Sequence, residues 1–174
     1  MYLLLKQIAT TGIVSEAAPH ADEDLRQIAQ QLSAVMQKHF GRALAIRHVD
    51  AGSCNGCELE IHAMNGPNYN LERLGIKFVA SPRHADLLLV TGPVSRNMAS
   101  ALKRTYEATP EPKLVVAIGD CGCSGGIFGE SYASCGRVAN VIPVDVAVPG
   151  CPPTPLALMQ GILTAIGAER SGMN

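Results

Sequence analysis

Three apolar runs of this chain each end in a turn that carries a glycine and then a cysteine: "HVDAGSC" at 48–54, "VVAIGDC" at 115–121 and "VAVPGC" at 146–151. That recurrence restricts the fold more than any other feature. Short apolar runs separated by helical stretches read as parallel strands with crossover helices, and the loops beyond their carboxyl ends share one edge of the sheet. Three strand ends would therefore deliver thiols to a single rim. The full set of runs is "ALAIRHVD", "IKFVAS", "ADLLLVTGP", "KLVVAIGD" and "VDVAVPG". Leu87–Val90 and Leu114–Ile118 are apolar at every position, as in strands covered on both faces. "SRNMASALKRTYEAT" and "TPLALMQGILTAIGAE" read as helices, the second with Thr154 as N-cap and Pro155 at its first position. The expected fold is a doubly wound, flavodoxin-like α/β domain with parallel strands and the cysteine-bearing loops at their carboxyl ends.

The rest of the chain divides around that domain. Residues 1–20 read as a leader, with an apolar run at Tyr2–Leu5 and Ile8 and a break at Pro19, suited to packing on a neighbouring subunit or a membrane. Residues 21–43 read as an amphipathic helix. Leu25, Ile28, Leu32, Val35 and Met36 fall at helical spacing, acids precede them, and Lys38, His39 and Gly41 close the segment. Residues 44–170 form the cysteine-bearing domain and 171–174 a tail. A hydrophobic content of 47% against 17% charged residues is enough for a core. A net charge of −1 argues against nucleic acid, which calls for a basic face. Three Phe and no Trp fit either a surface partly covered by partner subunits or a lean soluble enzyme. No export signal and no apolar run long enough to span a bilayer stand out, so a cytoplasmic location is expected. In a reducing compartment six cysteines point to metal or redox chemistry rather than disulfides.

Cys54-Asn-Gly-Cys57 alone fits a thioredoxin-like dithiol, half a zinc site or half an iron–sulfur site. A dithiol leaves Cys121 and Cys151 without a purpose. Structural zinc favours two close cysteine pairs, whereas here the later cysteines stand apart. A 4Fe–4S cluster takes four thiolates from separate loops and needs backbone close to its sulfides. Gly52, Gly56, Gly122, Gly125, Gly126 and Gly150 supply that room, and iron–sulfur ligation fits best. Cys54 and Cys57 make the first pair. Cys151 is held by the stiff Pro152–Pro153 turn. For the last place Cys121, directly after a strand, is better fixed than Cys123 or Cys135, which read as small buried residues.

"GSCNGCELEI", "SPRHADLLLVTGPVSRNM", "GDCGCSGGIFGESYA" and "IPVDVAVPGCPPTP" resemble the small, cluster-bearing subunit shared by NiFe hydrogenases and respiratory complex I, from about Arg47 to Gly167. Complex I subunits of this type carry adjacent cysteines in the first motif. The spaced Cys54 and Cys57 therefore resemble the hydrogenase side, and the short chain is similar to the membrane-bound, energy-converting (group 4) type, including formate hydrogenlyase and CO-linked enzymes. The resemblance implies one 4Fe–4S cluster on Cys54, Cys57, Cys121 and Cys151, and a subunit of an oxidoreductase that is not catalytic alone. It also implies a large subunit holding the NiFe centre, ferredoxin-like multi-cluster subunits and integral membrane subunits as partners. The place would be the cytoplasmic face of a prokaryotic inner membrane. A complex-I-like quinone or sulfur reductase module without nickel is the alternative, and a zinc-stabilised structural protein is a third of another class.

Several residues are expected near the cysteines. Gly56, Gly122 and Pro152 flank them. Arg83 resembles a family position close to the cluster, and reads equally as a corner arginine binding carbonyls. Glu58 and Glu60 open a helix whose dipole favours acids there, or serve a proton relay. His62 and His84 suit surface hydrogen bonding better than proton shuttling.

Overall fold

A computed structural model describes residues 2–12, 23–39 and 42–168. Five parallel strands form one sheet: β1 Leu44–Asp50, β2 Ile76–Phe78, β3 Leu87–Thr91, β4 Leu114–Ile118 and β5 Val146–Val148. Their spatial order is β2-β1-β3-β4-β5, the flavodoxin-like order expected from the sequence. Among the described residues the α-helices are α1 Tyr2–Thr11, α2 Glu23–His39, α3 Gly56–Met64, α4 Arg96–Ala108, α5 Gly119–Ser124 and α6 Pro155–Ala168.

The consecutive apolar residues of the strands divide between two cores because side chains alternate across a strand. Leu44, Ile46, Leu87, Leu89, Val116 and Ile118 face Ile28 and Leu32 of α2, Ile61 and Met64 of α3, and Leu158 and Ile162 of α6. Val49, Leu88, Val90, Val115 and Ala117 face Leu102 of α4 together with Val138 and Ile142. Leu89 is fully buried near the centre of the first core. Leu89→Ala should cost about 2–5 kcal/mol of unfolding free energy, read from the urea midpoint of the isolated apo chain.

Local signals agree with the elements they bound. The Ser95 hydroxyl accepts the Met98 N–H at 3.3 Å and caps α4. Thr154 Oγ1 accepts the Ala157 N–H at 3.3 Å and starts α6, as its sequence predicts. Gly161 lets α6 lie close on the sheet, since a Cβ there would collide with Val148 Cγ2. Helix α2 is built into the first core, so the segment set apart at 21–43 packs with the α/β body in its described part. Helix α1 has no buried residue, and Tyr2, Leu3, Leu4, Leu5 and Ile8 are all exposed. The expected break at Pro19, the closing Gly41 and the 171–174 tail lie outside the described residues, as do the side chains of Val35, Met36, Lys38 and His39.

Candidate metal centre

Asp50, Thr91, Ile118 and Val148 stand level in one row across β1, β3, β4 and β5, and each is the last residue of its strand. The chain leaves that row three times into a cysteine. Cys54 follows β1, Cys121 lies in α5 after β4, and Cys151 follows β5, while Cys57 sits in the first turn of α3. The sheet thus brings Cys54, Cys57, Cys121 and Cys151 to one edge.

Two aspartates shape the loops. Asp50 Oδ1 accepts the N–H groups of Gly52 and Ser53, both at 2.8 Å, and so fixes the turn into Cys54. Burial works to raise the Asp50 pKa, but the hydrogen bonds from Ser53 and Gly52 outweigh it and hold the carboxyl below its ordinary value. Asp120 joins the other two loops: its N–H donates to Gly150 O at 2.9 Å, and its Oδ1 accepts the Gly150 N–H at 2.8 Å.

Glycines clear space at the sulfurs. A Cβ on Gly119 (φ +78°) would lie 2.7 Å from Cys57 Sγ, and one on Gly126 (φ +57°) 2.8 Å from Cys121 Sγ. These are cradles that side chains would fill, which fits a bulky inorganic group bound through the thiols. Electrostatics tie the four sulfurs together. The Cys57 thiol is pushed up to about 12, first by burial, then by Glu58 and by Cys54, Cys121 and Cys151. Cys121 is raised by burial and then by Cys151 and Cys54. Among the described residues, no three His, Cys, Asp or Glu side chains converge as they would on a single metal ion.

Cys123 belongs elsewhere. Its Sγ lies 3.6 Å from Ala117 O, and its pKa rises to about 11 through burial and then Asp120, with no contribution from another cysteine. Cys135 packs, half-buried, against the second core. Both are thus partly rather than fully buried. An acid whose folded pKa is raised ionises more readily in the unfolded chain, so stability present below the unfolded thiol pKa, 9.0 for Cys57 and Cys123, is lost as pH climbs toward the folded values. The Tm of the apo chain should therefore fall between about pH 9 and 11, a loss seen by calorimetry at pH 8 and 10.5.

The neighbours expected around the cysteines divide. Gly56 is near, its Cβ position 3.6 Å from Cys54 Sγ and 4.0 Å from Pro152 Cβ, so Pro152 is near as well. Gly122 instead faces the sheet, where a Cβ would meet Val90 O, Ala117 C and Val138 Cγ2. Arg83 is placed away from the cysteines. It lies on the 3₁₀ turn Pro82–His84, just before Asp86, whose N–H bonds Ala45 O at the start of β1, so Arg83 and His84 belong to the opposite edge of the sheet.

Glu58 and Glu60 also separate, because two residues along a helix is a turn of about 200°. Glu58 points inward, 7% exposed, with Oε1 3.6 Å from His48 Nε2 and neither carboxylate oxygen hydrogen-bonded. His48 Nε2 is also 3.0 Å from Thr91 Oγ1. Burial lowers the His48 pKa and outweighs the opposing charge of Glu58. Glu60 is half-exposed, and His62 is exposed in the last turn of α3. Sequence reasoning missed Gly119, Asp120, Asp50 and His48. The first two were legible in "IGDC", where a glycine and a carboxylate separate strand from thiol; His48 carried no local signal.

Leu59 is exposed two residues after Cys57, and in the segment after α5 Phe128 is exposed and Ile127 and Tyr132 are 94% and 95% exposed. Their loop is anchored at its base, where Ser95 bridges Ser134 and the Arg96 guanidinium donates to Ser131 O at 3.0 and 3.1 Å.

Residues 54–165 match the model of the NADH ubiquinone oxidoreductase 20 kDa subunit family. The chain is 50% identical over 129 residues to the probable membrane-bound hydrogenase subunit mbhJ of Pyrococcus furiosus, covering 74% of this chain and 77% of that protein. It is 47% identical to formate hydrogenlyase subunit 7 of Escherichia coli over 78% of its own length, and spans about half (53%) of that relative. An NADH-quinone oxidoreductase subunit of Desulfovibrio desulfuricans is 48% identical over 72% of this chain and 67% of its own. Among solved structures, a chain of the membrane-bound sulfane sulfur reductase, an archaeal respiratory membrane complex, superposes with a TM-score of 0.66 at 34% identity, over 87% of this chain and 78% of that one. The motif-bearing half of the sequence, its fold and these likenesses agree, and the chain belongs to the NADH ubiquinone oxidoreductase 20 kDa subunit family.

Proposed function

We propose that this chain is the electron-relay subunit of a membrane-bound NiFe hydrogenase, holding one 4Fe–4S cluster on Cys54, Cys57, Cys121 and Cys151. The observation that carries the proposal is the delivery of four mutually interacting thiols to one sheet edge, with Gly119 and Gly126 opened against their sulfurs. A cluster bound there supplies reversible one-electron transfer. The chain's own residues do the rest. Strands β1, β4 and β5 fix the loops, the glycines admit backbone to the sulfurs, and burial of Cys57 keeps water from one side. Glu58, buried against His48 and next to Cys57 in the chain, is the member of the acidic pair that would serve a proton relay.

The spread of the thiols supports a cluster over a mononuclear zinc ion, for which no three ligands converge among the described residues. The exposed apolar side chains of Leu59, Ile127, Phe128 and Tyr132 suit docking of a large subunit that holds the NiFe centre and shields the exposed Cys54 and Cys151. Ferredoxin-like subunits would exchange electrons with the cluster, and integral membrane subunits would anchor the assembly at the cytoplasmic face. Among the described residues, no helix is long and apolar enough to cross a membrane, which suits a peripheral place.

The spaced Cys54-x-x-Cys57 and the 50% identity to mbhJ favour the hydrogenase reading. The likeness to the sulfane sulfur reductase favours a second, in which the partner lacks nickel. The large partner decides between them, since two Cys-x-x-Cys motifs in it mean a nickel site. For the relay itself, the anaerobically purified complex is assayed for iron, acid-labile sulfide and zinc, and dithionite-reduced samples of wild type and Cys121→Ser are compared by EPR. A reduced-cluster signal that Cys121→Ser removes is the expected result. Zinc at this subunit without iron or sulfide overturns it.

A further inference from the structure

In each loop that carries a cysteine after a strand, the residue just before the thiol is tied by an aspartate or is one. Ser53 N–H is bound by Asp50, Gly150 N–H by Asp120, and Asp120 itself precedes Cys121. Asp120 is the more consequential. Its side chain and its own N–H make a reciprocal pair with Gly150, so the residues preceding Cys121 and Cys151 are clamped together although they follow different strands. The Asp120 carbonyl adds a further tie, accepting from Gly126 N–H at 3.1 Å and Ser124 Oγ at 2.8 Å, and Gly126 is the glycine pressed against Cys121 Sγ. Gly150 has φ +133°, and a Cβ there would meet Pro153, so this loop cannot re-form around a bulkier residue.

We infer that Asp120 is a positioning residue for the cluster, its carboxylate fixing the Cys121 and Cys151 loops in register while its negative charge lowers the cluster's reduction potential. The inference rests on the cluster reading above and goes beyond it by giving the chain's own means of setting the potential. Reduction adds an electron to a site that already holds four thiolates, and a carboxylate one residue from a ligand opposes that step. The exposed side chain is screened by water in the free subunit. A partner covering the rim removes that screening, so the intact complex is where the effect is largest.

Two substitutions separate the roles. Asp120→Asn keeps an acceptor for the Gly150 N–H and loses the charge; Asp120→Ala loses both. The complex carrying each is purified anaerobically, its iron and sulfide are counted, and the EPR signal that Cys121→Ser abolishes is titrated against potential. Asp120→Asn should retain the wild-type iron and sulfide with a midpoint shifted upward. Asp120→Ala should lose several-fold in cluster occupancy. Asp120→Glu, which keeps the charge, should leave the midpoint unchanged in whatever cluster it retains. An unchanged midpoint in Asp120→Asn, a raised midpoint in Asp120→Glu, or full occupancy in Asp120→Ala overturns the inference. If instead no signal in the wild type depends on Cys121, it is the cluster reading that fails.

Discussion

Cys121→Ser is expected to abolish the cluster of this subunit, whereas Cys123→Ser leaves iron, sulfide and the reduced EPR signal at wild-type levels. The two residues are two positions apart in "DCGC", and α5 turns them about 200° from each other. Cys121 is within electrostatic reach of Cys151 and Cys54. Cys123 points back toward the carbonyl of Ala117 in β4 and feels Asp120 but no other thiol. Serine at 121 replaces a soft thiolate by a poor iron ligand. At 123 it replaces a weak S–H donor by an O–H of similar shape, at a cost of about 1 kcal/mol or less in the apo chain. Iron and sulfide analysis of the two variants, prepared side by side, checks the contrast. Retained iron in Cys121→Ser with loss in Cys123→Ser would reverse the ligand assignment.

Gly119→Val should be nearly as damaging, without touching a thiol. The residue has φ +78°, a left-handed conformation that costs a β-branched residue about 1–3 kcal/mol. Its Cβ would stand 2.7 Å from Cys57 Sγ and 3.3 Å from Gly150 O, so it meets two of the cysteine loops at once. The expected result is a folded chain of lowered Tm that assembles little cluster, followed by thermal melting of the apo chain and iron content of the complex. Gly167→Ala, in α6 with nothing within 4 Å of the added Cβ, is the control and should change neither.

Much of this architecture is written plainly in the residues. Leu87–Val90 and Leu114–Ile118 are apolar on both faces because both cores claim them, and short apolar runs with helices between them read as parallel strands with crossovers. The convergence of Cys54, Cys121 and Cys151 was legible for the same reason, since a parallel sheet has only one carboxyl edge. What escaped the sequence is side-chain direction. Gly122 and Gly119 look alike in "GDCGC", but one turns to the sheet and the other to a sulfur, and that choice is made by the backbone angles of α5. Arg83 precedes strand β3, so the same rule of one carboxyl edge puts it at the amino edge, away from the cysteines. The hydrogen bond from Asp86 N–H to Ala45 O agrees. Glu58 looked like its neighbour Glu60, and burial against His48 distinguishes it.

The level row of strand ends has a consequence for biogenesis. Cys54 emerges early in synthesis, while Cys151 follows the last strand, with nearly the whole sheet between them in the chain. The proposed liganding set is therefore complete only once β5 has paired with β4. Bringing Cys54 and Cys151 to one edge closes a loop of most of the domain, and the entropy of closing it must be met first. A nascent or truncated chain that stops short of Val146 carries Cys54, Cys57 and Cys121 but lacks Cys151. Loading of the proposed cluster would thereby report that the sheet is complete through β5, and partner subunits that recognise the loaded edge would assemble only on chains that have passed that point.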